Sequence, residues 1–260
     1  MKKLIAMILA LTLALGCSAA MAEKLIHGID PEYPPFSYMG DNGEYTGFDV
    51  EIARAACELL GWDYEIYAVD WDNKLIQLDN HECDVIWSGM TILPSMTEAG
   101  YVVSSPYYDN TQVLVVKKDS GIASSADLAG KVVAVQLGTS GDILLNGDLA
   151  DLKATFAELV TAQSFNACFT ELLGGAADAV FVDLPVAAAY LANKDADGQL
   201  TILNENLGAE QYGMAFRAGE EELCETLEEA VAELVENGTY AEIAAKYPDI
   251  VNNLLFIQAK

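Results

Sequence analysis

The chain has 260 residues, of which 52% are hydrophobic and 20% are charged, which is enough for one large or two smaller folded domains. Forty acidic residues outnumber 13 basic ones, and the formal net charge is −27 at pH 7. A charge this negative argues against nucleic acid or an anionic membrane surface as a partner. It is typical of the solvated surface of an exported protein, although a role in attracting cations stays open.

The first 22 residues predict an export signal, because Lys2 and Lys3 precede an apolar run over residues 4–16 and a small-x-small site ends at Ala22. The apolar run is too short to span a bilayer comfortably. Cleavage after Ala22 removes both lysines and leaves a net charge of −29, two below the −27 of the whole chain. The alternative is a lipobox over residues 13–17, in which Cys17 would be lipidated. Either route places the mature protein outside the cytoplasm.

Strand-like and helical patterns alternate along the rest of the chain, which indicates an α/β architecture. A proline-rich loop over residues 30–36 and a turn at residues 41–43 follow the first strand. Strands are predicted over residues 24–29, 64–68, 84–87, 112–116, 132–136, 179–182, 201–203 and 212–216. Helices are predicted over residues 49–61, capped by Asp49, and over 71–78, 125–129, 165–174, 221–236 and 240–246, with another from Asp142. There is neither an internal repeat nor a low-complexity linker, and this favours two lobes joined by strands.

Motifs of common enzymes are missing from the sequence. His27 and His81 are its only histidines, too few for a histidine-rich metal site. Residues 138–141 lack the spacing of a nucleophile elbow, and Gly130-Lys131 lacks the upstream glycine of a phosphate-binding loop. We therefore expect no enzyme, no metal and no cofactor.

Four cysteines lie beyond the signal, with spacings that match neither a metal site nor a CxxC redox motif. Export permits disulfides, but Cys57 and Cys168 fall within apolar helical patterns. Buried thiols are therefore the favoured interpretation for Cys57, Cys83, Cys168 and Cys224.

Polar residues follow three of the predicted strands. They are Ser88, Gly89 and Thr91 after one strand, Gly138, Thr139 and Ser140 after another, and Asp183 after a third. Ligands of open α/β sheets sit outside the carboxyl ends of strands, where free N–H groups at a helix start suit a carboxylate. A carboxylate such as Asp183 suits an ammonium. Each signal alone is weak, since turns and caps use the same residues, but together they predict a pocket for a small zwitterion.

Motifs along the whole mature chain resemble the amino-acid-binding family (family 3) of ABC-transporter extracellular solute-binding proteins. The matching segments are residues 30–36 (DPEYPPF), 47–53 (GFDVEIA), 83–91 (CDVIWSGMT), 105–108, 126–131, 136–140, 178–183, 212–215 and 237–240. The resemblance implies an α/β, two-lobed, type II periplasmic-binding-protein-like fold with two hinge strands. Lobe 1 would comprise residues 23–112 plus 208–260 and lobe 2 residues 117–204, with crossings near residues 112–116 and 204–211. A ligand would bind between the lobes and stabilise a closed form.

The resemblance also implies ligand-binding roles, residue by residue. Tyr33 and Trp71 match aromatic or apolar side chains that cover the two faces of the ligand; ordinary core packing is the alternative for both. Ser88, Gly89 and Thr91 match a segment that binds the α-amino or α-carboxylate group. Thr139 and Ser140 match the helix start that binds the α-carboxylate, and Asp183 matches the acid that binds the α-amino group. Asp30 matches a position that touches the ligand side chain, and a turn acid is its equal alternative.

One position departs from the family pattern. Met96 stands where the family places an arginine that pairs with the α-carboxylate through two hydrogen bonds. Either the helix start holds the carboxylate alone, or the ligand is not a standard amino acid. Trp71, Trp87, Met90 and Met96 suggest a more apolar cleft, and with two acids a related amine becomes an alternative ligand. If the pocket is otherwise standard, Met96→Arg is expected to strengthen amino-acid binding.

The resemblance implies a monomeric binding protein of an ABC importer, periplasmic or lipid-anchored to the outer face of the cytoplasmic membrane. Its partners would be the ligand, a permease and an ATPase, with no nucleic acid. Two alternatives stay open: an enzyme on the same scaffold, similar to periplasmic cyclohexadienyl dehydratases, and a ligand-sensing subunit of a signalling receptor.

Overall fold

Thirteen strands and nine α-helices are present in the part of the chain that the structure, a computed structural model, describes: residues 23–195 and 197–255. The predicted signal peptide, with Cys17, lies outside these residues. The strands are β1 (Lys24–Ile29), β2 (Glu32–Tyr33), β3 (Ser37–Met39), β4 (Tyr45–Thr46), β5 (Asp63–Ala68), β6 (Val85–Thr91), β7 (Val102–Val103), β8 (Tyr108–Lys117), β9 (Val132–Gln136), β10 (Glu158–Ala162), β11 (Ala179–Asp183), β12 (Leu200–Ile202) and β13 (Gly208–Phe216). The helices are α1 (Phe48–Leu60), α2 (Lys74–Asp79), α3 (Pro94–Glu98), α4 (Ser140–Asn146), α5 (Ala150–Lys153), α6 (Phe165–Gly174), α7 (Leu184–Lys194), α8 (Glu221–Asn237) and α9 (Thr239–Ala244).

One continuous mixed sheet organises the fold, in the order β10-β9-β11-β8-β13-β6-β1-β5. Parallel pairs lie toward both ends: β9 pairs with β10 and β11, and β1 pairs with β5 and β6. Between them β8 and β13 run antiparallel, in register from Gly208 opposite Gln112 to Tyr212 opposite Tyr108. These are the two hinge strands of a two-lobed α/β fold, which confirms the predicted fold class. The residue boundaries of the lobes stay a prediction.

The central strands are buried on both faces, as expected for parallel strands covered by helices. Every residue of β6 and β11 is buried, whereas the edge strand β5 is only partly covered. Helix α1 buries one apolar stripe through Val50, Ile52 and Ala56 and ends at Gly61, whose φ of 71° suits glycine.

Several predicted elements are confirmed and others are wrong. The strands at residues 24–29 and 132–136 and the helix at residues 165–174 have the predicted bounds. Strand β6 runs to Thr91 instead of ending at residue 87, and α4 begins at Ser140, two residues before the predicted start. Helix α7 was not predicted; it has Pro185 in its first turn, where proline is well tolerated.

The predicted capping role of Asp49 is also wrong. Gly47 precedes α1, and the Asp49 side chain, inside the first turn, is fully buried instead of bonding to a helix end. Its Oδ2 accepts hydrogen bonds from Gly89 N at 2.8 Å and from the Tyr107 hydroxyl at 2.6 Å. The carboxylate therefore supports the end of β6 rather than the helix.

All four cysteines beyond the signal are buried free thiols, as predicted. Across residues 23–195 and 197–255, no helix combines the length and apolarity needed to cross a membrane. The same residues contain no group of three or more His, Cys, Asp or Glu side chains arranged to hold a metal ion.

Candidate functional site

A narrow cavity of about 20 Å³ lies where the ends of β6, β9 and β11 approach one another across the middle of the sheet. A volume this small holds about one water molecule, so a larger ligand enters only if the surrounding walls move apart. The lining residues are Tyr33, Trp71, Lys74, Gly89, Met90, Thr91, Leu93, Gly138, Thr139, Ser140, Ile143 and Asp183. Seven of the ten predicted site residues are among them: Tyr33, Trp71, Gly89, Thr91, Thr139, Ser140 and Asp183.

Asp183 is the one acidic residue that lines the cavity, and neighbouring strands fix its position. The register of β8 with β11 and β13 places Asn110 and Gln112 between Asp183 and Glu210. Asp183 Oδ1 accepts hydrogen bonds from Asn110 Nδ2 at 2.6 Å, Gln112 Nε2 at 2.7 Å and the Tyr212 hydroxyl at 2.8 Å. The same two amides donate to Glu210 Oε1 at 2.6 and 3.0 Å.

This arrangement favours the neutral form of Asp183. Burial, followed by the negative charge of Glu210, raises the pKa of Asp183 well above its ordinary value, although the hydrogen bond from Tyr212 opposes the shift. A positive ligand group beside it would favour the ionised form, which makes this wall suited to an ammonium.

Two nearly parallel aromatic rings flank the cavity. The Tyr33 and Trp71 rings are 11° from parallel, with 6.4 Å between centroids, and the Tyr33 hydroxyl lies 2.7 Å from that of Tyr212. Gly89 lets Tyr33 approach β6, because a Cβ at this residue would lie 2.3 Å from Tyr33 Cε1 and its φ is +55°. The aromatic position of Tyr33 therefore depends on a residue without a side chain.

Hydroxyl groups of the cavity differ in their freedom to bind a ligand. Thr139 donates to Gln136 O at 2.8 Å and accepts from Asp142 N, so its hydroxyl is used as the cap of α4. Ser140 Oγ accepts from Gln112 Nε2 at 3.1 Å, which leaves its hydrogen available. In the described part of the chain, the Thr91 hydroxyl bonds to no other side chain. Thr91 and Ser140 are therefore the available hydroxyl donors.

Asp30 and Ser88, two of the predicted site residues, do not line the cavity. Ser88 Oγ accepts from Asp30 N at 3.0 Å and contacts Ser37 Oγ, so the hydroxyl points into the protein interior. Asp30 accepts from Glu32 N at 2.8 Å and from Gln136 Nε2 at 2.7 Å. The latter bond joins the two halves of the sheet: one half contains β1, β5 and β6, and the other contains β9, β10 and β11.

Met96, the third such residue, lies in an apolar cluster beside the cavity instead of in its wall. Only 3% of it is exposed, and the cluster includes Trp71, Leu78, Ile86 and Met90. A thioether has no strong polar partner to seek, so the side chain fills core space. The structure thus places Met96 beside the cavity, and its contact with a ligand stays a prediction. Trp87, which suggested an apolar cleft, also lies outside the lining, whereas Met90 belongs to it.

Sequence reasoning missed Lys74, Ile143 and the polar pair Asn110 and Gln112. Lys74 lies three residues after Trp71 at the start of α2, a spacing that places two side chains on one helix face and was therefore a usable signal. The alternation of polar residues 110 and 112 within an apolar strand was a second signal. Ile143 could not have been chosen, because an exposed isoleucine on a helix is unremarkable in a sequence.

The end of β6 rests on two buried ionisable groups with opposite shifts. Burial raises the pKa of Asp49 to about 7, although bonds from Tyr107, Gly89 and Trp87 oppose the shift. Burial lowers the pKa of His27 to about 4; its Nδ1 contacts the Tyr64 hydroxyl at 2.8 Å and its Nε2 contacts Trp87 O. Both groups are neutral in acidic solution near pH 5, so β6 is supported there without buried charge.

Comparison with known proteins identifies the family of the chain. The profile of a family described as bacterial extracellular solute-binding proteins, family 3, matches residues 25–249. The ABC transporter arginine-binding protein 1 of Escherichia coli (strain K12) is 31% identical over 252 residues, covering 95% of this chain and 99% of that protein. The L-cystine-binding protein TcyJ of the same strain is 32% identical over 225 residues, covering 86% and 82%.

A solved structure supports the same likeness in three dimensions. It is an ABC uptake transporter substrate binding protein from Streptococcus pneumoniae with bound histidine. It superimposes with a TM-score of 0.82 at 29% identity, covering 86% of this chain and 92% of that one.

Proposed function

The chain belongs to family 3 of the bacterial extracellular solute-binding proteins, and we propose that it binds a free α-amino acid in the cavity between its two lobes. The observation that carries this proposal is the buried carboxyl group of Asp183, the one acid in the lining, beside two available hydroxyl donors. Relatives named for arginine, cystine and histidine binding support the choice of ligand class. A related amine is the alternative ligand.

Each wall of the cavity has a role in this proposal. The ligand ammonium binds Asp183 and favours its ionised form. Thr91 and Ser140 donate hydrogen bonds to the ligand carboxylate. Tyr33 and Trp71 enclose its side chain between their rings. Lobe closure then buries the ligand, and the bond between Asp30 and Gln136 contributes to the closed form.

We further propose that the protein is exported, acts as a monomer and delivers its ligand to a permease and an ATPase of an ABC importer without altering it chemically. The signal-like residues 1–22 and the binding proteins among its relatives support this role. Cleavage after Ala22 and lipidation of Cys17 stay alternative routes. Intact-mass measurement of the secreted protein distinguishes them, because only the second route adds lipid to the chain.

Isothermal titration calorimetry of the chain from Glu23 onward tests the binding function. We expect one of the twenty standard L-amino acids to bind with 1:1 stoichiometry. In Asp183→Asn affinity falls at least about 100-fold, because a desolvated ammonium loses its charged partner. Asp151→Asn, which removes an exposed acid of α5, is the control and leaves affinity unchanged. Absence of binding across amino acids and matching amines contradicts the proposal, as does equal affinity in Asp183→Asn.

A further inference from the structure

Lys74 is the one basic residue among those that line the cavity, and its ammonium is held in place from both sides. Nζ donates to Trp71 O at 3.0 Å and to Gly138 O at 2.8 Å, atoms that belong to the two different halves of the sheet. It also lies 4.7 Å from the centroid of the Trp71 ring. An ammonium has three hydrogens, so two carbonyl bonds leave one donor for another partner.

The Lys74 ammonium keeps its positive charge although it is buried. Burial lowers the pKa of Lys74 to about 8, while Asp72, Asp30 and Asp70 act in the opposite direction. The side chain is therefore mostly protonated at pH 7. It presents a fixed positive charge to any ligand in the cavity, whose lining also contains the acidic residue Asp183.

The charges of the lining match a ligand with one ammonium and one carboxylate. Asp183 is the single acidic lining residue and Lys74 the single basic one. Asp30, the acid expected to touch a ligand side chain, is already bonded to Gln136 and Glu32 N and lies outside the lining. A second positive charge on the ligand would therefore lack a carboxylate partner and would share a small cavity with the Lys74 ammonium.

Resting on the proposed amino-acid function, we infer that Lys74 determines the specificity of this cavity: it selects amino acids with uncharged or acidic side chains and rejects those with basic ones. The remaining Lys74 donor binds a carboxylate or carbonyl oxygen of the ligand. This selectivity differs from that of the relative named for arginine binding. Rejection through an unpaired or like charge is an effective source of specificity.

Calorimetry at pH 7 with L-glutamine, L-glutamate, L-lysine and L-arginine tests the inference. We expect the native chain to prefer glutamine or glutamate over arginine by at least about tenfold. Lys74→Met narrows that preference by at least about tenfold, because the repelling charge is gone, whereas Lys74→Arg retains it. Lys117→Met is the matched control: its ammonium also bonds a backbone carbonyl, Leu173 O at 3.0 Å, but lies outside the lining. Thermal unfolding verifies that each variant is folded.

The possible results separate the two claims. Equal preference in the native chain and in Lys74→Met overturns the role of Lys74 while amino-acid binding stands. Tighter binding of arginine than of glutamine and glutamate by the native chain overturns it as well. If folded native protein binds neither these four ligands nor any other amino acid, the proposed function fails and the inference falls with it.

Discussion

Replacing Gly138 by alanine should weaken ligand binding far more than it weakens the fold. The two halves of the sheet approach closely at Gly138: a Cβ there would be 2.7 Å from Asp72 Cα, 3.0 Å from Asp72 Oδ1 and 3.3 Å from Asp72 N. Most of these contacts involve backbone, which cannot rotate away. Restoring an ordinary contact distance requires the halves to separate by about 1 Å.

That separation breaks the hydrogen bonds that join the halves. Asp30 to Gln136 at 2.7 Å and Lys74 to Gly138 O at 2.8 Å would both exceed hydrogen-bonding distance. Each involves an ionisable group, so their joint loss costs about 3 kcal/mol of closed-state stability, or about 100-fold in Kd. The φ of +73° adds about 1 kcal/mol of strain for alanine, in the open and the closed form alike.

Gly130→Ala separates strain from contact between the halves. Gly130 has a φ of +72° but no atom within 4 Å of the position of its Cβ. Both variants should lose about 1 kcal/mol of unfolding free energy in urea, and only Gly138→Ala should lose affinity in calorimetry. Small-angle X-ray scattering should show that ligand no longer compacts Gly138→Ala. Equal affinity of the two variants would refute the idea that this glycine permits closure.

Three further predictions concern ionisation and packing. Ligand binding at pH 7 should release protons, because an ammonium beside Asp183 lowers the pKa that burial and Glu210 raise. Calorimetry in buffers of different ionisation enthalpy measures the release, and proton uptake on binding would contradict the prediction. The pKa of Asp49 is raised from 3.8 to about 7, so Asp49 stabilises the native state below pH 3.8 and loses this contribution as pH rises to about 7. The pKa of His27 is lowered from 6.5 to about 4, so His27 stabilises the native state above pH 6.5 and loses this contribution as pH falls to about 4. As pH falls from 7 to 4, the unfolding free energy of His27→Gln, measured in urea, should therefore rise by on the order of 3 kcal/mol relative to the native chain. That of Asp49→Asn should fall by a similar amount. Equal pH dependence in the variants and the native chain would contradict this explanation. Met96→Arg should lower unfolding free energy by about 3 kcal/mol instead of strengthening binding, because a guanidinium would enter an apolar cluster; a stable variant with tighter binding would restore the sequence-based expectation.

Sequence patterns predicted the elements whose own residues determine them. The apolar runs of β1 and β9 and the helical stripe of α6 have local causes, and their bounds agree with the structure. The proposed wall residues Tyr33 and Asp183 were found because they lie within family motifs, and Trp71 because it occupies a position where the family has an apolar side chain. Their ligand contacts themselves stay predictions.

Contacts between distant segments could not be predicted from the sequence. Asp49 resembled a helix cap, yet it supports Gly89, 40 residues away. Asp30 resembled a ligand contact, yet it bonds Gln136 across the two halves. Both are acids whose hydrogen-bond donors come from distant segments, and a local sequence pattern does not predict which donor that will be.

Direct recovery of the bound small molecule tests the central claim most closely. The purified chain from Glu23 onward is incubated with all twenty standard L-amino acids at 1 mM each, separated from free ligand by rapid gel filtration and denatured. The released amino acids are then quantified by mass spectrometry. We predict close to one amino acid per chain, with an uncharged or acidic side chain, and a loss of most of it in Asp183→Asn. The account would be contradicted if folded native protein retained no amino acid. It would also be contradicted if native protein and Asp183→Asn retained equal amounts.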